Sequence, residues 1–113
     1  MLSPVPVILT GAMKLIDERT LDGSRRFTHL PRVADWISVR DHVLLLPGAE
    51  MVNFIGGEMA QDWLDFAFRG RRFLIRGHDD HFHLFVDDPQ CSDLILYQVG
   101  RHFEQLLKTV REQ

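Results

Sequence analysis

Apolar and polar residues alternate strictly between Asp62 and Asp88. The apolar positions are Leu64, Phe66 and Phe68, then Phe73 and Ile75, then Phe82, Leu84 and Val86. Turn clusters at Gly70-Arg71 and Gly77–Asp80 interrupt the run. Period-two alternation across short turns predicts an antiparallel meander with one face on a core. Glycine at the first central position of a two-residue loop suits a type II′ turn at Gly70-Arg71. That turn predicts Phe68 opposite Phe73, Phe66 opposite Ile75 and Asp65 opposite Arg76. A four-residue loop at Gly77–Asp80 predicts Arg76 opposite His81, Leu74 opposite His83 and Arg72 opposite Phe85.

The flanking segments complete an α+β domain. Residues 49–55 alternate and predict a first strand, with Val52 and Phe54 inward and Met51, Asn53 and Ile55 outward. Its pairing would put Asn53 near Asp65 and Met51 near Ala67. Upstream, Val33, Ile37, Arg40 and Leu44 fall at helical spacing. That helix is expected to begin near Pro31, with Thr28 as a cap nearby, and to stop at Pro47-Gly48. A last helix is expected over roughly residues 92–109, begun by Ser92 and Asp93. Its stripe would be Ile95, Val99, His102, Phe103, Leu106 and Val110. The predicted fold is therefore helix, four-stranded antiparallel meander, helix, with both helices packed on one face of the sheet. It occupies residues 30–113, and residues 1–29 form an N-terminal arm or extension. Within that arm Val5 to Leu9 could make a short strand, which Pro4 and Pro6 push to an edge.

The second face of such a sheet is neither polar nor apolar. It would carry Met51, Ile55, Trp63, Ala67, Leu74 and Phe85 beside Asp65, Arg76, His81 and His83. A face left in water carries fewer large apolar groups, so something is expected to cover it. Three occupants fit: the N-terminal arm, the same face of a second copy, or a different partner. Met51, Ile55, Trp63, Leu74 and Phe85 are the interface candidates.

Composition narrows the function classes. The chain has 113 residues, enough for one domain with its own core. A formal net charge of -3 weighs against a nucleic-acid backbone as the main partner. An RNA-binding sheet, with Trp63 and Phe85 stacking bases beside Arg72 and Arg76, therefore ranks last. Cys91 is the only cysteine, which excludes an internal disulfide and fits a reducing compartment. No apolar run approaches the roughly 20 residues that span a bilayer. Val5 to Leu9 is too short for a secretion signal and has no basic residue before it. The expected location is the cytoplasm, with no membrane partner.

One cluster resembles metal ligands. His81 and His83 lie two apart on a strand and share a face, and His78 and Asp80 sit on the adjoining turn. No cofactor is predicted for the leading reading; the alternative is a divalent metal, in a metal-binding domain or small metal-dependent hydrolase. Arg76 as a cross-strand neighbour opposes it, and Asp65 would lie about 10 Å away, two strands off. Cys91 precedes a helix start, yet Asp87, Asp88 and Asp93 surround it in sequence and disfavour a thiolate. It reads as a structural thiol, and His102 reads as a satisfied histidine. No phosphate loop, nucleophile elbow or His-Glu-x-x-His motif is present, and no catalytic residue is assigned.

The runs Pro47-Gly48-Ala49-Glu50, Trp63-Leu64-Asp65-Phe66 with Gly70 and Phe73, and Phe85-Val86-Asp87-Asp88-Pro89 with Cys91 resemble a family of short bacterial proteins of unassigned function. The resemblance spans roughly residues 33–107. It implies a bacterial origin and a compact domain, and it carries no activity, cofactor or site. The leading expectation is a non-catalytic protein-interaction domain that self-associates through the second sheet face.

Overall fold

The computed structural model describes residues 14–55 and 63–107, without the side chain of Ile55. The elements are β1 (Glu18–Arg19), β2 (Arg25–Pro31), α1 (Trp36–Val43), β3 (Glu50–Ile55), β4 (Trp63–Phe68), β5 (Arg71–His78), β6 (His81–Val86) and α2 (Asp93–Leu107). The fold is α+β, with a six-stranded sheet in the order β1-β2-β6-β5-β4-β3. Every neighbouring pair is antiparallel. The expected strand at Val5 to Leu9 and the stripe position Val110 lie outside the described residues.

The four-stranded meander understates the sheet. β2 pairs along β6, so the sheet continues across the boundary expected between residues 29 and 30. A bulge hides β2 from a period-two search. Arg26 pairs with Phe85 and Thr28 with Leu84, so Phe27 is the extra residue and both Phe27 and Thr28 are buried. Thr28 is thus a strand residue and caps no helix. The cap of α1 is Asp35, whose carboxylate accepts a hydrogen bond from the Ser38 amide at 2.7 Å. The buried stripe of α1 is Trp36, Val39 and Val43, while Val33, Ile37 and Leu44 are exposed.

The first hairpin of the meander closes one residue earlier than expected, and the second is tighter than expected. Phe68 pairs with Arg71, so the loop is Arg69-Gly70, with φ of 51° and 75°. Two positive φ values in a two-residue loop suit a type I′ turn, and Gly70 adopts its value without a Cβ penalty. At the next corner His78 pairs with His81 across Asp79-Asp80, where Asp79 has φ 57°. Each register therefore shifts by two residues. Phe66 faces Phe73, Asp65 faces Leu74, Trp63 faces Arg76, and Arg76 faces His83. An even shift keeps every side chain on its expected face, so the inward set survives.

A second bulge, between Met51 and Asn53, does change a face. Met51 pairs with Phe66 and packs against the core, and Val52 is 41% exposed. Asn53 pairs with Asp65, as the alternation predicted, and Phe54 points inward.

The core lies between the sheet and the helices. Phe73 sits at its centre, stacked on Phe66 with ring centroids 5.4 Å apart and edge-on to Phe27 at 5.9 Å. α2 contributes Leu96, Val99, Phe103 and Leu107, with Ile95 and Leu106 half-buried beside them. The Ser92 hydroxyl accepts from the Leu94 amide at 3.1 Å, and Asp93 occupies the first turn. Trp36 packs edge-on against Phe82 at 4.8 Å. Arg25, nearly buried, donates from Nε and Nη2 to the Ile16 carbonyl at 3.0 and 2.8 Å. It also lies 3.7 Å from Asp93, which links the start of the sheet to the start of α2. Among the described residues no helix is long and apolar enough to cross a membrane.

Where the helices meet, His42 and His102 form a reciprocal clasp. Nε2 of His42 donates to the His102 carbonyl, and Nε2 of His102 donates to the His42 carbonyl, both at 2.6 Å. The rings stack with centroids 4.0 Å apart. A carbonyl carries no proton, so both imidazoles must hold theirs on Nε2. Burial, more than the neighbouring His42, moves His102 below the usual imidazole range.

Candidate functional site

With both helices on one side, the cross-strand partners order the other face into rows. The central row is Glu18, Arg26, Phe85, Leu74, Asp65 and Asn53. Next to it run His29, His83, Arg76, Trp63 and Ile55. Beyond that lie Pro31, His81 and His78. On the opposite flank Arg72, Ala67 and Glu50 form the fourth row, and Asp87 adjoins Arg72. Trp63, Ala67, Leu74 and Phe85 are half-buried there, and among the described residues no helix lies over them. The expected apolar set is thus placed as predicted at Trp63, Leu74 and Phe85. Met51 is removed to the core side, and the side chain of Ile55 lies outside the described atoms.

The face is electrically polarised along the strands. One end holds His29, His78, His81, His83 and Arg76; the other holds Asp22, Asp65, Asp87 and Glu50, with Arg72 among them. A cleft of about 180 Å³ opens at the acidic end, lined by Asp22, Ser24, Asp65, Arg72, Leu74 and Phe85. Asp65 is its most constrained group, with a side chain only 15% exposed. Its Oδ2 lies 3.4 Å from Nη2 of Arg72, while Oδ1 is buried and has no hydrogen-bond partner among the described residues. A buried acceptor left unpaired costs about 1–3 kcal/mol. Arg72, four residues before the expected partner Arg76, is the cation that pairs with it. Asp22 lies at the β1–β2 corner. The Thr20 hydroxyl holds its carboxyl down at about 2, helped by the Ser24 amide at 3.0 Å and hydroxyl at 2.8 Å.

At the other end the structure joins His78, His81 and His83 with a fourth imidazole, His29. Ring centroids are 4.9 Å apart for His29–His81, 5.8 Å for His29–His83 and 6.0 Å for His78–His83. Nη1 of Arg26 donates to Nδ1 of His83 at 2.7 Å, which uses the lone pair a metal would need. Burial first, and the Arg26 charge second, shift His83 below the usual imidazole range. Burial and the neighbouring His81 and Arg26 do the same to His29. Asp80 is exposed in its turn, where its carbonyl accepts from the Arg32 amide at 2.9 Å. His78 is 76% exposed and lies 3.4 Å from Asp79. Among the described residues no three His, Cys, Asp or Glu side chains converge to hold a metal ion. The quartet proposed from sequence therefore shares a neighbourhood without forming a coordination site.

Cys91 is buried, and desolvation pushes its thiol up, with smaller contributions from Asp88 and Asp87 and opposition from Arg71. That is an inert structural thiol. His102 is satisfied within the clasp, as its position on the inward side predicted. Arg26, His29 and Asp22 are the site residues that sequence reasoning missed. All precede or lie on β2, where the bulge at Phe27 masks the alternation that would have placed Arg26 and His29 on the outer face. No protein-family model, no curated protein and no solved structure matches the chain.

Proposed function

We propose that this chain is a non-catalytic protein-binding domain that self-associates through the sheet face opposite its helices. The observation that carries this reading is the half-buried apolar group Trp63, Leu74 and Phe85 at the centre of a face over which no helix packs among the described residues. Its surroundings are charged groups of both signs rather than a field of one sign, which suits a protein partner better than a phosphate backbone. Six strands at about 4.8 Å spacing, and about 20 Å of β5 between Arg72 and His78, give a flat area of about 500 Å² per copy. That lies below the roughly 800 Å² per partner of a standard interface, so an association of modest affinity is expected.

A concentration series by light scattering tests the reading. The wild-type chain should pass from monomer to dimer, and Leu74→Arg should remain monomeric with unchanged thermal stability. A wild-type chain that stays monomeric at high micromolar concentration would remove self-association. A dimer that Leu74→Arg leaves intact would move the interface to another surface.

A further inference from the structure

We propose that two copies meet face to face about a two-fold axis running across the strands, so that the histidine–arginine end of each lies over the acidic end of the other, and Arg76 fills the acidic cleft of the second copy beside Asp65. This rests on the self-association reading and specifies its geometry.

Symmetry leaves few choices. Closed two-fold dimers are isologous, so the same patch must complement itself. A face-to-face pair has its axis in the plane between the sheets. An axis parallel to the strands keeps each row over its own level, placing Arg76 at the level of Arg76 and Asp65 at the level of Asp65. An axis across the strands reverses the rows. Centred between the Leu74 and Arg76 levels, it lays the row His83, Arg76, Trp63 over the row Phe85, Leu74, Asp65 of the second copy. It also lays His81 over Asp87. His81 then faces a carboxylate and Arg76 lies one strand from Asp65 of the second copy, while His29 comes over Arg26; the carboxylate contacts favour this axis over the alternative.

The individual groups fit the arrangement. Asp65, its side chain 15% exposed, lines a cleft of about 180 Å³ whose apolar floor is Leu74 and Phe85. Arg76 is exposed, and among the described residues it enters no ion pair within 4 Å. A guanidinium has a flat apolar surface for that floor and fixed N–H donors for the carboxylate. Trp63, in the same row, supplies an indole N–H over the same carboxylate. His78 falls near Arg72 of the second copy, and its exposure lets the ring turn toward its own Asp79 instead.

Complementary charge swaps test this with the full chain. Arg76→Glu and Asp65→Lys, each alone, place like charges across the interface and should weaken self-association at least about tenfold by sedimentation velocity. Mixed in equal amounts, they form a heterodimer in which both contacts again join opposite charges, with an affinity within about threefold of wild type. His81→Asp mixed with Asp87→Lys applies the same logic at the strand ends, and decides the matter should Asp65→Lys fail to fold. A mixture no tighter than its components, beside a wild-type dimer, overturns the arrangement and leaves self-association standing. A monomeric wild type overturns self-association itself.

Discussion

Breaking the histidine clasp separates two contributions that a single substitution confounds. His42→Ala removes the hydrogen bond that His42 donates to the His102 carbonyl, together with the ring stack. The carbonyl of His42 is backbone, so the bond it accepts from His102 remains. At about 1 kcal/mol for the hydrogen bond and about 1 kcal/mol for the ring contact, His42→Ala should cost about 2 kcal/mol. His102→Ala should cost a similar amount. The double variant loses both hydrogen bonds but the stack only once, so it should cost about 3 kcal/mol rather than about 4. The coupling of about 1 kcal/mol is the stack. Urea unfolding of the four proteins at pH 8 measures it. Acid should then erode the clasp. The folded value of His102 lies below its unfolded one, so the unfolded chain binds more protons in that window. Its contribution is complete above the unfolded value of about 6.5 and is lost as pH falls through it toward the folded value. Wild type should accordingly lose more stability than His102→Ala between pH 8 and pH 5. Single costs below about 0.5 kcal/mol, or strictly additive costs, would refute the clasp as a stabilising contact.

The remaining predictions concern the core, one close approach and the thiol. Phe73→Ala empties the centre of the aromatic cluster, where Phe73 is 1% exposed, and should cost about 3–5 kcal/mol in urea unfolding. Gly77→Ala puts a Cβ 2.8 Å from Nη1 of Arg32 and 3.1 Å from Cζ2 of Trp36, and should cost about 1–3 kcal/mol in thermal unfolding. Cys91 should react with iodoacetamide at pH 8 at least about tenfold more slowly in the folded chain than in urea, because its thiol is buried and held up by desolvation.

How much of this was legible depended on whether each segment kept a simple period. β4, β5 and β6 alternate without interruption, so Phe66, Phe73 and Leu84 were placed inward from sequence alone. The turns differ from the expectation because Arg69 adopts a positive φ that residue type does not announce. The difference shifts each register by two residues and changes no face. β2 was lost to its bulge at Phe27, and with it went Arg26 and His29. Met51 changed sides for the same reason, at the bulge of β3. In α1 the eight residues carry apolar groups on more than one side, and the Trp36, Val39, Val43 stripe became evident only once the sheet defined an inside. The His42–His102 clasp and the orphaned oxygen of Asp65 depend on contacts between distant segments, which no local pattern records.

Isotope-filtered NMR on a mixture of ¹³C-labelled and unlabelled chain addresses the uncovered face most directly. Methyl groups of Leu74 in labelled copies should show contacts to protons of unlabelled copies, while those of Ile75 and Val39, on the helix side, should show none. Intermolecular contacts from the helix-side methyls, with none from Leu74, would contradict the assignment of that face as the self-association surface.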